Sequence, residues 1–160
     1  MCFFLFAAMH RTSLATIEIL DDPFLATLKD ASYTERKFRR VLSVMERKAT
    51  DADLKVMFFM HHAATETHVD RLEEVFRSLG KPARGANCDA IVGLIEDADG
   101  LLAETDDPET MDAALMALAQ AAEHHEIARD GTLVAKATRL GHPEAATLLK
   151  MTLDEENAAA

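Results

Sequence analysis

Apolar residues recur along this chain at intervals of three and four, the spacing that gathers them on one face of an α-helix. One stripe reads Leu28, Ala31, Phe38, Leu42 and Met45, and a second Leu54, Phe58, Val69, Leu72 and Phe76. A third is Met111, Leu115, Leu118, Ala122 and Leu133, and a fourth Ala145, Leu149, Thr152 and Leu153. A shorter run, Ile91, Leu94, Ile95, Ala98, Leu101 and Leu102, falls between the second and the third.

Start and stop signals frame these stripes. Asp22-Pro23, Asp107-Pro108 and His142-Pro143 each put a capping residue before a proline, whose missing N–H costs nothing in a first helical turn. Thr50 and Asp53 have the spacing of a capping box, and Gly80 and Gly141 are helix stops. The pattern predicts long helices over 23–48, 52–79, 108–140 and 143–157, and a shorter one over 89–104. Tight connections near Thr50 and Gly141 make the first and last pairs antiparallel, and the short helix carries the chain back along the bundle. The expected fold is all-α: a four-helix bundle with a crossover helix between the second and third long helices. Residues 1–13 are read as an N-terminal extension and 14–160 as the bundle.

Composition narrows the function. With 28 acidic against 17 basic residues the net charge is -11, which repels nucleic-acid phosphates and anionic lipid surfaces and attracts cations. The apolar run at positions 1–9 is too short to span a bilayer and has no basic segment before it, so neither a membrane span nor a secretory signal is expected. Cys2 and Cys88 form no disulfide framework and no zinc pattern, which fits a cytoplasmic protein. Cys88 itself is assigned a packing or capping-turn role.

The stripes are interrupted by acids. Glu35 sits in the middle of the first, Glu156 is the next same-face position after the fourth, and Glu126 lies about 40° from the centre of the third, with Glu123 one turn earlier. Glu66 flanks the second stripe, with His61 and His68 on its other side. Ionised carboxylates aimed at one core must share protons, pair with cations or bind metal. Arg129, near the centre of the third stripe, is the main basic residue placed to neutralise one of them. A glutamate from each of four helices at one depth is the arrangement that holds two iron or manganese ions. His62 and Glu66, one turn apart, could share an ion, but the usual Glu-x-x-His spacing would put a histidine at position 69, which is Val69. His68 is read as a surface or interface residue, and Met57, Met60, Met116 and Met151 as core filler.

The runs LKDASYTERKF, TETHVDRLEEVFRSLGKP, NCDAIVGLIEDA, AQAAEHHEIARDGTL and LGHPEAATLLKMTLDEEN, covering nearly everything from about Leu14 onward, resemble bacterial ferritin-like stress proteins of the YciE/YciF type. The resemblance implies a homodimeric helical bundle related to ferritins and rubrerythrins with a dinuclear metal centre. Carried over by position, it points to Glu35, Glu66, Glu123, Glu126 and Glu156 as metal ligands. Glu66 and Glu126 (or Glu123) would bridge, and Glu35 and Glu156 would be terminal. His125 stands where a tyrosine is usual, Tyr33 is displaced by one position from the usual aromatic, and Glu156 falls in the final helical turn. The expected function is metal binding, with reaction toward oxygen or peroxide if the centre is redox active. The alternative is a non-catalytic dimeric stress-response scaffold without metal.

Overall fold

The computed structural model describes residues 3–159, and side-chain surroundings for these except 3–22 and 101. Five helices follow in order: α1 Phe3–Lys48, α2 Ala52–Ser78, α3 Asp89–Ala103, α4 Pro108–Leu140 and α5 Pro143–Ala159. No strand occurs among the described residues, and no described helix is long and apolar enough to cross a membrane.

The predicted boundaries hold to within two residues everywhere except at the first helix. It begins at Phe3, so Pro23 lies inside it and residues 3–13 form its opening turns. Proline there removes one rung of the hydrogen-bond ladder without ending the helix. A one-residue correction applies to α2. Its N-cap is Asp51, whose side chain accepts from the Leu54 N–H, and not Thr50. Thr50 is engaged elsewhere: its N–H and hydroxyl both donate to Asp112 of α4, at 2.7 and 2.6 Å, and the Asp51 N–H adds a third bond at 2.9 Å. Asp107 caps α4 as expected, accepting from Thr110, and Gly141 ends that helix in the left-handed region, at φ 76°. There the N–H groups of Gly141 and His142 donate back to Thr138 and Ala137.

α1 packs against α2 and α4, and α5 packs against the same two helices, so α1 and α5 face each other across the bundle diagonal. α1 and α2 run antiparallel, since Arg36 pairs with Glu73 and Arg39 with Glu66. α2 and α4 run parallel: Asp51 meets Asp112 at one end and His61 meets Glu123 midway. The connection that makes this possible crosses α1, where the Ala86 N–H donates to the Lys29 carbonyl and Gly85 lies so close to Tyr33 that a Cβ would sit 3.1 Å from its backbone. α3 then packs on α4. The bundle with one crossover is the observed fold.

The core is divided in two. Towards the α1–α2 turn, Phe38, Leu42, Met45, Phe58, Leu115 and Ala122 form one apolar cluster, closed on the outside by Ile91 and Ile95 of α3. Towards the α4–α5 turn, Phe24, Leu28, Leu72, Phe76, Leu133 and Leu149 form another. Buried polar residues occupy the interval between them on every long helix.

Asp112 ties the α1–α2 turn to the start of α4, and the donors around it, Thr50 foremost, hold its carboxyl below the ordinary 3.8. Asp112→Ala is therefore expected to lower the thermal midpoint at pH 7. A depressed acid contributes stability above its unfolded value and loses it as pH falls through the folded one. The gap between wild type and variant should thus close below about pH 3.8, as read by circular dichroism.

Candidate metal centre

The polar interval is built by the same three-and-four spacing that builds the core. On α1, Glu35 lies between Ala31 and Phe38; on α5, Glu156 follows Leu149 and Thr152. On α2 the buried line passes through Thr65, His68 and Leu72, and on α4 through Ala122, Glu126, Asp130 and Leu133, with Glu123 beside it. These side chains cannot avoid the interior once the apolar residues above and below them are packed.

Two donor groups result. His61, Glu123, Glu126 and Glu156 each place one ligand-type atom within 4.8 Å of all the others, and so do Glu35, His68 and Glu156. Glu156 belongs to both groups. His68 Nδ1 lies 2.7 Å from Glu156 Oε1 and 3.6 Å from Glu35 Oε1, while its Nε2 meets Glu155 Oε2 at 3.0 Å. Glu155 is clamped in turn by both terminal nitrogens of Arg71, each at 2.7 Å. His61 Nε2 is 3.4 Å from Glu123 Oε2. Thus His68 is the inner cation of the layer, fixed from outside by an exposed acid that is itself paired.

The negative charge exceeds what His68 can balance. Burial pushes the Glu126 carboxyl well above its ordinary 4.5, and the charges of Glu35, Glu156, Glu123 and Asp130 add to this. Burial also raises Asp130, and raises Glu123 to about 9 with Glu156 close by. Glu35 is raised by burial, which His68 only partly offsets. Burial works against the charged form of His68 as well, but the adjoining Glu156 and Glu35 outweigh it and bring the imidazole to about 10. For Glu156 the balance tips the other way: burial raises it, yet His68 and Glu123 carry it below its ordinary value. Glu35 Oε2, Glu123 Oε1, both oxygens of Glu126 and Asp130 Oδ2 make no hydrogen bond, whereas Glu156 Oε1 is held in the ion pair with His68. Buried acceptors without donors are costly, and several converging on one place are a cavity lining suited to cations.

Four of the five predicted ligands, Glu35, Glu123, Glu126 and Glu156, come together here. Glu66 does not. Its side chain is 58% exposed and pairs with Arg39 on the outer side of α2. Its helical neighbour at the right angle, His68, takes the inward position, so the reading of His68 as a surface residue is also corrected: it is 1% exposed. Arg129 pairs with Asp30, at 3.9 Å, and Asp130 is the buried neighbour, so among the described side chains no arginine is paired with an acid of the layer. Asp130 was missed although Glu123, Glu126, Asp130 and Leu133 step by three, four and three. The methionines expected in the core are exposed: Met57, Met60, Met116 and Met151 lie on the surface of α2, α4 and α5. Cys88 fits its packing role, buried against the first apolar cluster, with its sulfur 3.6 Å from His125 Nε2.

Fold and acid layer together define an all-α bundle of the ferritin-like type. The chain belongs to the family described as "Domain of unknown function (DUF892)", whose pattern matches residues 19–160. It is 36% identical over 143 residues to protein YciF of Escherichia coli K12, covering 89% of this chain and 86% of YciF. The crystal structure of the E. coli stress protein YciF superposes with a TM-score of 0.82 at 37% identity, covering 88% of this chain and 89% of that one. That of YcfI from Rhodopseudomonas palustris superposes with 0.85 at 42% identity, with the same coverage.

Three outcomes follow for chelator-treated protein. Glu126→Met, which removes two orphaned acceptors at similar volume, should raise stability by about 1–3 kcal/mol in urea unfolding. Stability of the unaltered chain should also fall on going from pH 6 to pH 10. The raised histidine contributes fully below 6.5 and loses its contribution as pH rises through about 10. The raised Glu123 acts in the same direction between 4.5 and about 9. His68→Gln should flatten the alkaline end of that decline, measured as the change in unfolding midpoint with pH.

Proposed function

We propose that the chain is a dinuclear metal-binding member of this stress-protein family, holding two iron or manganese ions in the acid layer. The observation that carries the reading is the set of buried carboxylates on α1, α4 and α5, with oxygens of Glu35, Glu123 and Glu126 that lack a hydrogen-bond donor, gathered into two groups with one shared member. Glu35, His68 and Glu156 would hold one ion, and His61, Glu123, Glu126 and Glu156 the other. Glu156 would bridge, in place of the bridging role that the sequence resemblance gave to Glu66. Carboxylate with imidazole is a donor set that suits iron and manganese.

Bound ions of this kind would supply one-electron chemistry toward oxygen or peroxide. The protein's own residues do the rest. His68 is oriented by Glu155, and Glu155 by Arg71, a chain of support in which an outer carboxylate fixes the ring of an inner ligand. The apolar clusters on either side of the layer pack the four helices together. The homodimer implied by the family resemblance and the cytoplasmic setting suggested by the two separated cysteines belong to the same reading.

Elemental analysis of the purified chain should find close to two iron or manganese ions per chain. Restoring Mn²⁺ or Fe²⁺ to stripped protein should raise its thermal midpoint, and that gain should vanish in Glu35→Ala and Glu126→Ala. Affinity should weaken on acidification, because the ligands must shed protons to bind. If no metal is retained and the ions leave the midpoint unmoved, the metal-free scaffold is the correct reading.

A further inference from the structure

The net charge is not spread evenly along the chain. Between Gly85 and Ala128 stand eleven acidic residues and no lysine or arginine, so this stretch alone carries the whole excess of -11. Asp89, Glu96, Asp97, Asp99, Glu104 and Asp106, on α3 and just after it, are all exposed. The second half of α1 has the opposite sign, with six basic residues against the single acid Glu46 from Arg36 to Lys48. Arg36 and Arg39 pair with α2. Among the described side chains Arg40, Arg47 and Lys48 are exposed and enter no ion pair, and neither does any acid of α3.

The two faces adjoin. α3 begins just after the chain crosses α1 at Tyr33, and it ends near the start of α4, which Asp112 ties to the α1–α2 turn. Ile91, Ile95, Ala98 and Leu102 of α3 join the same apolar cluster as Phe38, Leu42, Met45 and Ala49 of α1. Both helices therefore run the same way at the same end of the bundle, a basic ridge next to an acidic one. On the side of α3 turned away from the cluster lie Gly93 and Gly100, two turns apart, where an added Cβ would meet nothing within 4 Å. Glycine disfavours a helix, and two of them on a free face leave room for another backbone to come close. Val44, 40% exposed, is the one large apolar side chain exposed on α1 among the described residues.

We propose that two copies of this chain associate through these adjoining faces about a two-fold axis, with α1 of each laid antiparallel on α3 of the other. Adjacent ridges of opposite sign are self-complementary under a half-turn: each basic ridge meets an acidic one, and the contact closes at two copies. Gly93 and Gly100 admit the partner's Val44 to the middle of the contact. An unrelated acidic or basic partner would match one ridge and be repelled by the other, whereas a second copy matches both. The inference names the contact face of the homodimer in the reading above and rests on that state. It does not rest on the metal, because no side chain of the contact belongs to the acid layer.

The test is sedimentation equilibrium of the full chain. A dimer and nothing larger is expected. Raising salt from about 0.1 M to about 1 M, which shortens the screening length from about 10 Å to about 3 Å, should weaken it at least about ten-fold. Arg40→Glu with Arg47→Glu, and Glu96→Lys with Asp97→Lys, should each weaken it by at least the same factor. An equimolar mixture of these two double variants should restore it, because each then offers the other two complementary ridges. Gly93→Gln with Gly100→Gln leaves the net charge alone and meets open space within the chain, so it should weaken the dimer without lowering the thermal midpoint of the diluted monomer. Chelator-treated protein should associate equally well, which keeps a failed metal assignment separate. A dimer indifferent to the reversals or to the glycine variant overturns these faces while leaving the homodimer standing. A mixture that stays apart overturns the pairing of ridges, assemblies beyond two overturn the two-fold axis, and a monomeric chain overturns both the faces and the homodimer.

Discussion

The structure depends on keeping carboxyl groups out of water at the centre of a bundle otherwise held together by apolar contact. Hydrophobic burial on either side sets the spacing of the helices and leaves the acids of the middle layer little contact with solvent. A carboxylate in that position either keeps its proton or finds positive charge. Among the described side chains the layer has one histidine cation, His68, and no arginine paired with its acids. Leucine at these positions would avoid that desolvation cost, so the acids do not serve the stability of the fold.

The remaining polar contacts are arranged around this layer. The Arg71–Glu155 clamp lies immediately outside it and restrains the imidazole from the solvent side. Asp112, at the far end, holds the turn that sets the register of α1 and α2 against α4. The surface pairs Arg36–Glu73 and Lys150–Asp154 are exposed, and such pairs contribute little in water. One side of the layer opens onto a groove lined by Met57, Met60 and Met116.

Much of this was legible in the chain. Period and punctuation located α2 to α5, the crossover and the two tight turns, because apolar stripes, prolines after caps and glycine stops act locally. The start of α1 was not, since Asp22-Pro23 has the composition of a helix start and only the surrounding chain decides that the helix runs through it. Glu35, Glu126 and Glu156 were readable because each continues an unambiguous stripe. The second helix misled: Glu66 matches a family motif but sits about 200° around the helix from His68, and its stripe is broken between Phe58 and Val69, where Thr65 and His68 are the buried residues. Arg129 and Asp130 are neighbours on a helix, so an error of less than one residue in rotation exchanges their roles. The methionines were misplaced because apolar character was taken to mean burial, whereas an apolar residue beside a short helix can be left with nothing to pack against.

That α5 contributes a carboxylate common to both donor groups has a consequence for how the centre fills. On the metal reading proposed above, an ion seated in either group would draw the same side chain into place for the other, so the two positions would be coupled through one residue near the end of the shortest long helix. Occupancy would then behave as a pair, and the order of the last turns of α5 would report whether the pair is complete.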